Sequence, residues 1–286
     1  MLDNLNLDLA PTANVANKLI DKISGFLSYK IGKESPENIA VNVFIEEVKK
    51  LHCDALTKAM LISKSKTLIR EYSNQVNIVK ECQLYLKNDA RPENIEDDWL
   101  HLFMDKARLI SNSEVQKLWG KILAGEANKP GSISRQLLNI LSYMDKENAE
   151  NFTNICRFVI KPKYKSGEVG SDRLLLITRE HLDSYYYQHG VSLEGLRSLQ
   201  SFGLIEMMQN RHLVVHYSFY SEKPLIGICY DKDSMDFLNE KHEIPQGAVI
   251  FTKVGQELFN VLSVEPVEDF WEKVVKPFFK EEVAQE

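Results

Sequence analysis

The chain has 286 residues and a mass of 32.9 kDa, about twice a typical domain of ~150 residues, so two cores are within reach without metals or disulfides. With 44% hydrophobic and 27% charged residues, 13 Gly and 9 Pro, the composition excludes disordered, collagen-like and low-complexity chains. A net charge of −6 excludes a protein coated in positive charge for wrapping nucleic acid or an anionic membrane, but leaves room for a local basic patch.

The N-terminal stretch MLDNLNLDLAPTANV carries acids where a secretory signal would be basic. Residues 1–15 read as an extended lead-in. From Asn17 to Lys30, the stripe Leu19, Ile20, Ile23, Phe26, Leu27 predicts a short amphipathic helix. Gly32 and Ser35-Pro36-Glu37 close it and open the next element. From Pro36 to Asp89 there is no internal glycine or proline. Val41, Ile45, Val48, Ala55, Ala59, Ile62, Ile69, Val76 and Val79 recur there at threes and fours. Lys49, Lys50, Lys64, Lys66, Arg70 and Lys80 fall on the polar side. Either one helix of ~50 residues, ~75 Å long, or two helices breaking near Ser63-Lys64-Ser65 satisfies this pattern. A helix of that length needs a partner along it, which predicts a helical hairpin or self-association through the long helices.

Pro92 marks a new start, and Glu93, Glu96, Asp97 and Asp98 crowd the first turns, where a helix dipole favours acids. Ile95, Trp99, Leu102, Phe103 and Leu109 form its apolar side. Ser113-Glu114-Val115-Gln116 reads as a capping box opening a helix that ends at Gly125. Asn128-Lys129-Pro130-Gly131 is a turn, followed by helices over roughly Ser134–Tyr143 and Asp145–Val159.

The composition then changes. Lys161 to Gly167 reads as a boundary or loop, Leu174 to Ile177 as a buried strand, and Thr178 as the cap of a helix holding His181 and Leu182. Ser192 to Phe202 predicts a helix ending at Gly203. Leu213–Tyr220 and Leu225–Tyr230 predict a β-hairpin turning at Ser221-Glu222-Lys223-Pro224. Ala248–Phe251 is a further strand, followed by Thr252 and a helix to about Leu262, and a last helix lies around Trp271, Val274, Val275 and Phe278. The expected architecture is mainly α. An all-helical domain with a long helix or hairpin covers 1–160, and a smaller α+β winged-helix-like domain covers 161–286.

One segment carries a resemblance. Asp97-Asp98-Trp99, Phe103, Ile110-Ser111, Glu114, Gln116-Lys117-Leu118-Trp119, Ile122 to Glu126, Pro130-Gly131-Ser132, Ser134-Arg135 and Leu138 resemble the signature of a bacterial domain-of-unknown-function family, number 2806. The likeness is sharp over about residues 70–160. A weaker similarity joins the chain to abortive-infection proteins of the alpha type. The first likeness implies ancestry and architecture but supplies no catalytic residue, and the second implies a setting of phage defence or stress.

Four groups of residues are candidates for chemistry. Trp119, Glu126 and Arg135 would form a pocket in which Glu126 and Arg135 grip a partner or small ligand; the alternative is a stitched helical corner. Asp97, His101 and Asp105 share a helix face at i, i+4, i+8, which reads as a hydrated stripe rather than a metal site. Arg211 and His216 have the R-x4-H spacing of some helical ribonucleases, but they lie on a predicted strand, where residues five apart face opposite sides. Arg157, Lys161, Lys163, Tyr164, Lys165, Arg173 and Arg179 cluster at the expected domain boundary, as a phosphate-tracking strip would.

Cys53, Cys82, Cys156 and Cys229 are scattered and lack metal-ligand spacing, and no phosphate loop, G-x-S-x-G or H-E-x-x-H motif occurs. No cofactor and no metal is expected. Neither is a membrane span, because no stretch approaches ~20 apolar residues. The expected protein is a non-enzymatic, cytoplasmic interaction or regulatory protein that binds a partner protein. The first alternative is a nucleic-acid-binding regulator using the winged-helix-like module and basic strip. A nuclease-type effector is the weaker one.

Overall fold

The computed structural model describes residues 13–24, 26, 41–170, 174–175, 185–207, 213–216, 225–241, 243–246 and 249–283. They are mainly helical, with a smaller α+β part toward the C-terminus. The chain divides into two compact units, Met1–Tyr143 and Met144–Glu286.

In the first unit, the predicted amphipathic stripe becomes α1 (Ala13–Ser24), which begins ahead of Asn17, inside the expected lead-in, ends before Phe26, and buries Val15, Ala16, Leu19, Ile20 and Ile23. Lys18 reaches Glu93 at 3.2 Å and Lys22 pairs with Asp97, tying α1 to the acids that open the next helical layer. The long apolar run is two helices, α2 (Val41–Lys50) and α3 (Ala55–Gln83). They break at Leu51–Asp54, not near Ser63-Lys64-Ser65. The cause is a cap: Asp54 leaves helical geometry and its carboxylate accepts from the Thr57 backbone N–H at 2.9 Å and the Thr57 hydroxyl at 2.6 Å.

Helices α4 (Asp97–Ala107), α5 (Ser113–Asn128) and α6 (Arg135–Tyr143) complete the unit. Helix α5 departs from expectation at both ends. Asn112, not Ser113, is its cap, accepting from the Glu114 and Val115 amides. Gln116 does not reach back to the cap; its amide donates inward to the Ile110 carbonyl at 2.8 Å and to Asn74 Oδ1 at 3.3 Å. The helix also runs past Gly125 to Asn128, its last turn closed by the Lys129 amide on the Gly125 carbonyl. The core is built from fully buried Ile78, Leu100, Phe103, Trp119, Ile122, Leu123, Leu137 and Leu138, each contributing roughly 1.5–3 kcal/mol of apolar burial. Helices α3 and α5 approach backbone to backbone at Gly120, where an added Cβ would stand 2.6 Å from Glu81 Cβ and 2.8 Å from the Cys82 nitrogen.

In the second unit, α7 (Lys146–Cys156) precedes β1 (Val159–Tyr164) and β2 (Leu174–Leu175). Helix α8 (Leu193–Ser201) and strand β3 (Ile205–Met207) follow, then β4 (Leu213–His216), β5 (Leu225–Tyr230), β6 (Asp233–Lys241), β7 (Glu243–Gln246), β8 (Val249–Phe251) and α9 (Lys253–Val261). A wide turn at Trp271–Val275 leads into α10 (Lys276–Val283). Ser192 and Thr252 cap α8 and α9, and Gly203, at φ +71°, ends α8 as expected.

Strands β2-β1-β5-β6 form one sheet, with β3–β8 and β4–β7 as separate antiparallel pairs. Two expectations fail here. Lys161–Tyr164 is not a loop but the body of β1, with Ile160, Pro162 and Tyr164 buried and Lys161 exposed. Nor do β4 and β5 pair as a hairpin. Strand β4 pairs with β7, and β5 turns instead into β6 through Asp231-Lys232, Asp231 taking the positive φ (+49°) that a two-residue hairpin demands. The proposed turn at 221–224 and the helix at 178–182 lie outside the described residues.

Helix α7 belongs to the second unit, so the division falls at Tyr143/Met144, ahead of the expected position at residue 160. Asn148 accepts from Ser198 at 2.6 Å, Asn154 donates to the Gly190 carbonyl at 3.1 Å, and the Phe152 ring meets Phe251. Deeper in the unit, Phe158 contacts Tyr186 and Phe270, each with ring centroids 4.9 Å apart. Tyr230 joins that cluster and threads its hydroxyl between the Arg157 carbonyl (2.7 Å) and the Val267 amide (2.6 Å).

Candidate interaction surface

Each residue of the expected pocket serves a local role. Trp119 is wholly buried, its ring 5.2 Å from that of Phe103. Glu126 is 2% exposed, and its carboxylate accepts from the Gly131 amide at 2.6 Å and the Ile133 amide at 2.9 Å, holding the turn between α5 and α6. Arg135, on the surface, binds Glu96 at 2.5 Å and Asp98 at 3.4 Å at the start of α4. The acids of the Asp97–His101–Asp105 face are also engaged: Asp97 with Lys22, and Asp105 with Arg108 at 3.0 Å.

A polar clasp locks the C-terminal end of α4 to α3. Asn74 and Gln75 donate to the Arg108 and Met104 carbonyls, while Arg108 pairs with buried Glu71 at 2.8 Å. The bonds to Asp105 and Glu71 raise the Arg108 guanidinium further above its ordinary range, so it stays charged.

The expected basic strip is only partly a free positive surface. Lys161 and Lys163 share the outward face of β1, opposite Cys229 and Gly227 of β5. Lys163, however, is bound to Asp236 at 2.7 Å, which raises its ammonium pKa, and Arg157 donates to the Glu265 carbonyl at 3.1 Å. Lys165 is exposed. Arg173, Arg179 and Arg211 lie outside the described residues, and His216 is on β4.

A second polar cluster sits where residues 185–189 meet the segment before the wide turn. The Tyr185 hydroxyl donates to Asp269 at 2.6 Å, Lys273 pairs with the same carboxylate at 2.5 Å, and His189 lies 4.0 Å from it. The hydrogen bonds from Lys273 and then Tyr185 lower the Asp269 pKa, and burial pushes the Tyr185 phenol up.

The first half of α3 leaves apolar side chains exposed. Residues 71–83 of that helix are largely embedded, but Leu56 is 71% and Met60 64% exposed. No acid occurs from Ala55 to Arg70, whereas Lys58, Lys64, Lys66 and Arg70 do. Among the described residues none of these four cations makes an ion pair; Lys58 donates to the Lys49 carbonyl at 2.8 Å. The neighbouring Lys49 and Lys50 are neutralised by Glu46 and Glu47, each at 2.7 Å. Periodicity placed the cations on the polar side. It missed Leu56 and Met60, which fall off the Ala55–Ala59–Ile62 row and so carried no signal.

Among the described residues no group of three or more His, Cys, Asp or Glu could hold a metal, and no helix is long and apolar enough to cross a membrane. A family model described as "Protein of unknown function (DUF2806)" matches residues 63–275. Neither the curated proteins nor the solved structures include a match to this chain.

Proposed function

The chain belongs to the DUF2806 family, and since that description carries no activity, we propose from its own surface that it is a non-enzymatic interaction or regulatory protein, binding a macromolecular partner through the first half of α3. The supporting observation is the exposure of Leu56 and Met60 on a helix whose other half is anchored in the core. Covering the exposed parts of both side chains offers about 2–4 kcal/mol of apolar burial toward association, before the entropic cost of binding. A photo-crosslinking amino acid at position 60, introduced in living bacterial cells, is expected to form an adduct that the same group at exposed Asn139 does not. Absence of any adduct at 60 removes the reading.

A cytoplasmic role in phage defence or stress rests only on the sequence resemblance to alpha-type abortive-infection proteins, which no match among the curated proteins supports. Deleting the gene should raise plaquing by at least one phage of a broad panel; unchanged plaquing throughout counts against it. A second reading, nucleic-acid binding by the C-terminal α+β unit, draws on the shared outward face of Lys161 and Lys163. Charge reversal at Lys161, Lys163 and Lys165 would abolish such binding.

A further inference from the structure

We infer that the first half of α3 is a docking helix for duplex DNA, lying in the major groove with cations reaching the phosphates on both groove walls. This rests on the proposal that α3 is the binding element and names its partner.

Helical geometry carries the argument. Leu56, Met60, Ser63 and Thr67 follow one another at i, i+4, i+7 and i+11 and so form one stripe along the helix. At ~100° per residue, Lys64 lies about 70° to one side of that stripe, while Arg70 and Lys66 lie about 50° and 90° to the other. A neutral ridge flanked by cations on both sides is what a helix needs inside a groove whose two walls are phosphate chains. Residues 55–70 span about 24 Å, and a major groove of about 12 Å admits a helix. The chain is acidic overall, so three unpaired cations gathered without an intervening acid mark a local attraction for an anion.

Other occupants fit less well. A bilayer needs a continuous apolar face, but the stripe turns polar at Ser63 after two apolar residues. A second copy docked face to face would bring Lys64, Lys66 and Arg70 against their own counterparts. Double-stranded RNA has a major groove too narrow for side chains to read. The ridge holds no Arg, Asn or Gln to read base edges, so the binding is largely indifferent to sequence.

The test is fluorescence anisotropy of the full chain with a random duplex of about 20 base pairs, from about 50 to about 200 mM salt. Three phosphate contacts predict a slope of log affinity against log salt of about −2.7. Lys64→Gln, Lys66→Gln and Arg70→Gln together should cost at least ~10-fold in affinity at low salt and flatten that slope. All three residues are exposed, so unchanged helicity by circular dichroism certifies the fold, and Lys58 is spared because it holds the α2–α3 corner. Lys129→Gln, at an exposed site outside α3, should bind as the parent does, and duplex RNA of equal length should bind more weakly. The inference is overturned by no binding at low salt, by a triple variant that binds like the parent, or by equal binding of duplex RNA. A protein adduct at position 60 without DNA binding also overturns it, yet leaves α3 as the binding element.

Discussion

Glu126 shows how a residue that resembles a ligand-gripping acid can be spent on its own backbone. It is buried to 2% exposure and satisfies two amides of the turn that carries Gly131 at φ +81°. Hydrogen bonds to a charged acceptor are worth about 1.5–3 kcal/mol each, and a lost acceptor leaves buried donors unpaired. Glu126→Ala should therefore destabilise the protein by about 3 kcal/mol or more in urea unfolding, while Arg135→Ala, whose ion pairs are exposed, should cost less than ~1 kcal/mol. The thiols divide in the same way. Burial raises the pKa of Cys82, Cys156 and Cys229, but Cys229, like Cys53, is only half-buried and so open to a reagent. An aromatic disulfide reagent at mildly alkaline pH should label at most Cys53 and Cys229 in the native protein, and all four cysteines after denaturation.

At the scale of elements, the helices were legible where their signals are local. The α1 stripe, the Thr252 and Ser192 caps and the Gly203 terminus each depend on residues within one or two turns, and each appears in the structure. The break between α2 and α3 was local too, but its signal was the pair Asp54 and Thr57 rather than a glycine or proline. Asp54→Ala should lower the urea midpoint by removing that cap, while Asp54→Asn or Asp54→Ser should largely keep it. Helix contacts are less legible. Gly120 could be read as a mid-helix weakness, yet it is the point where α5 touches the α3 backbone. Gly120→Ala should destabilise the first unit by about 1–3 kcal/mol through overpacking, measured by chemical denaturation.

For the whole molecule, the division at Tyr143/Met144 has a direct consequence. A fragment beginning at residue 144 retains Phe152, Ile155, Cys156 and Phe158 in its core, and is expected to unfold cooperatively on heating. A fragment beginning at residue 161 lacks them and is expected to melt without a cooperative transition. The second unit should also lose stability in alkali, where burial raises the Cys156 thiol above its ordinary 9.0. Burial raises the phenol pKa of both Tyr185 and Tyr230 above the ordinary 10.0, which unfolding restores. Stability is then fully present below about pH 9, where the unfolded thiol begins to titrate, and declines as pH rises beyond it, which far-UV circular dichroism would follow.

What the sequence determined by itself was the mainly helical character, the family likeness, the placement of most helices and the cations of α3, because these follow from short-range periodicity, capping chemistry and composition. What tertiary structure decided was pairing and exposure. Lys161 and Lys163 lie on a strand because β5, more than sixty residues later, pairs with that segment, and β5 turns into β6 because Asp231 accepts a left-handed conformation. Leu56 and Met60 are uncovered because the described neighbours of α3 cover its second half. Which partner a strand finds, and which side of a helix is left bare, depend on residues distant in the chain, and no local pattern encodes them.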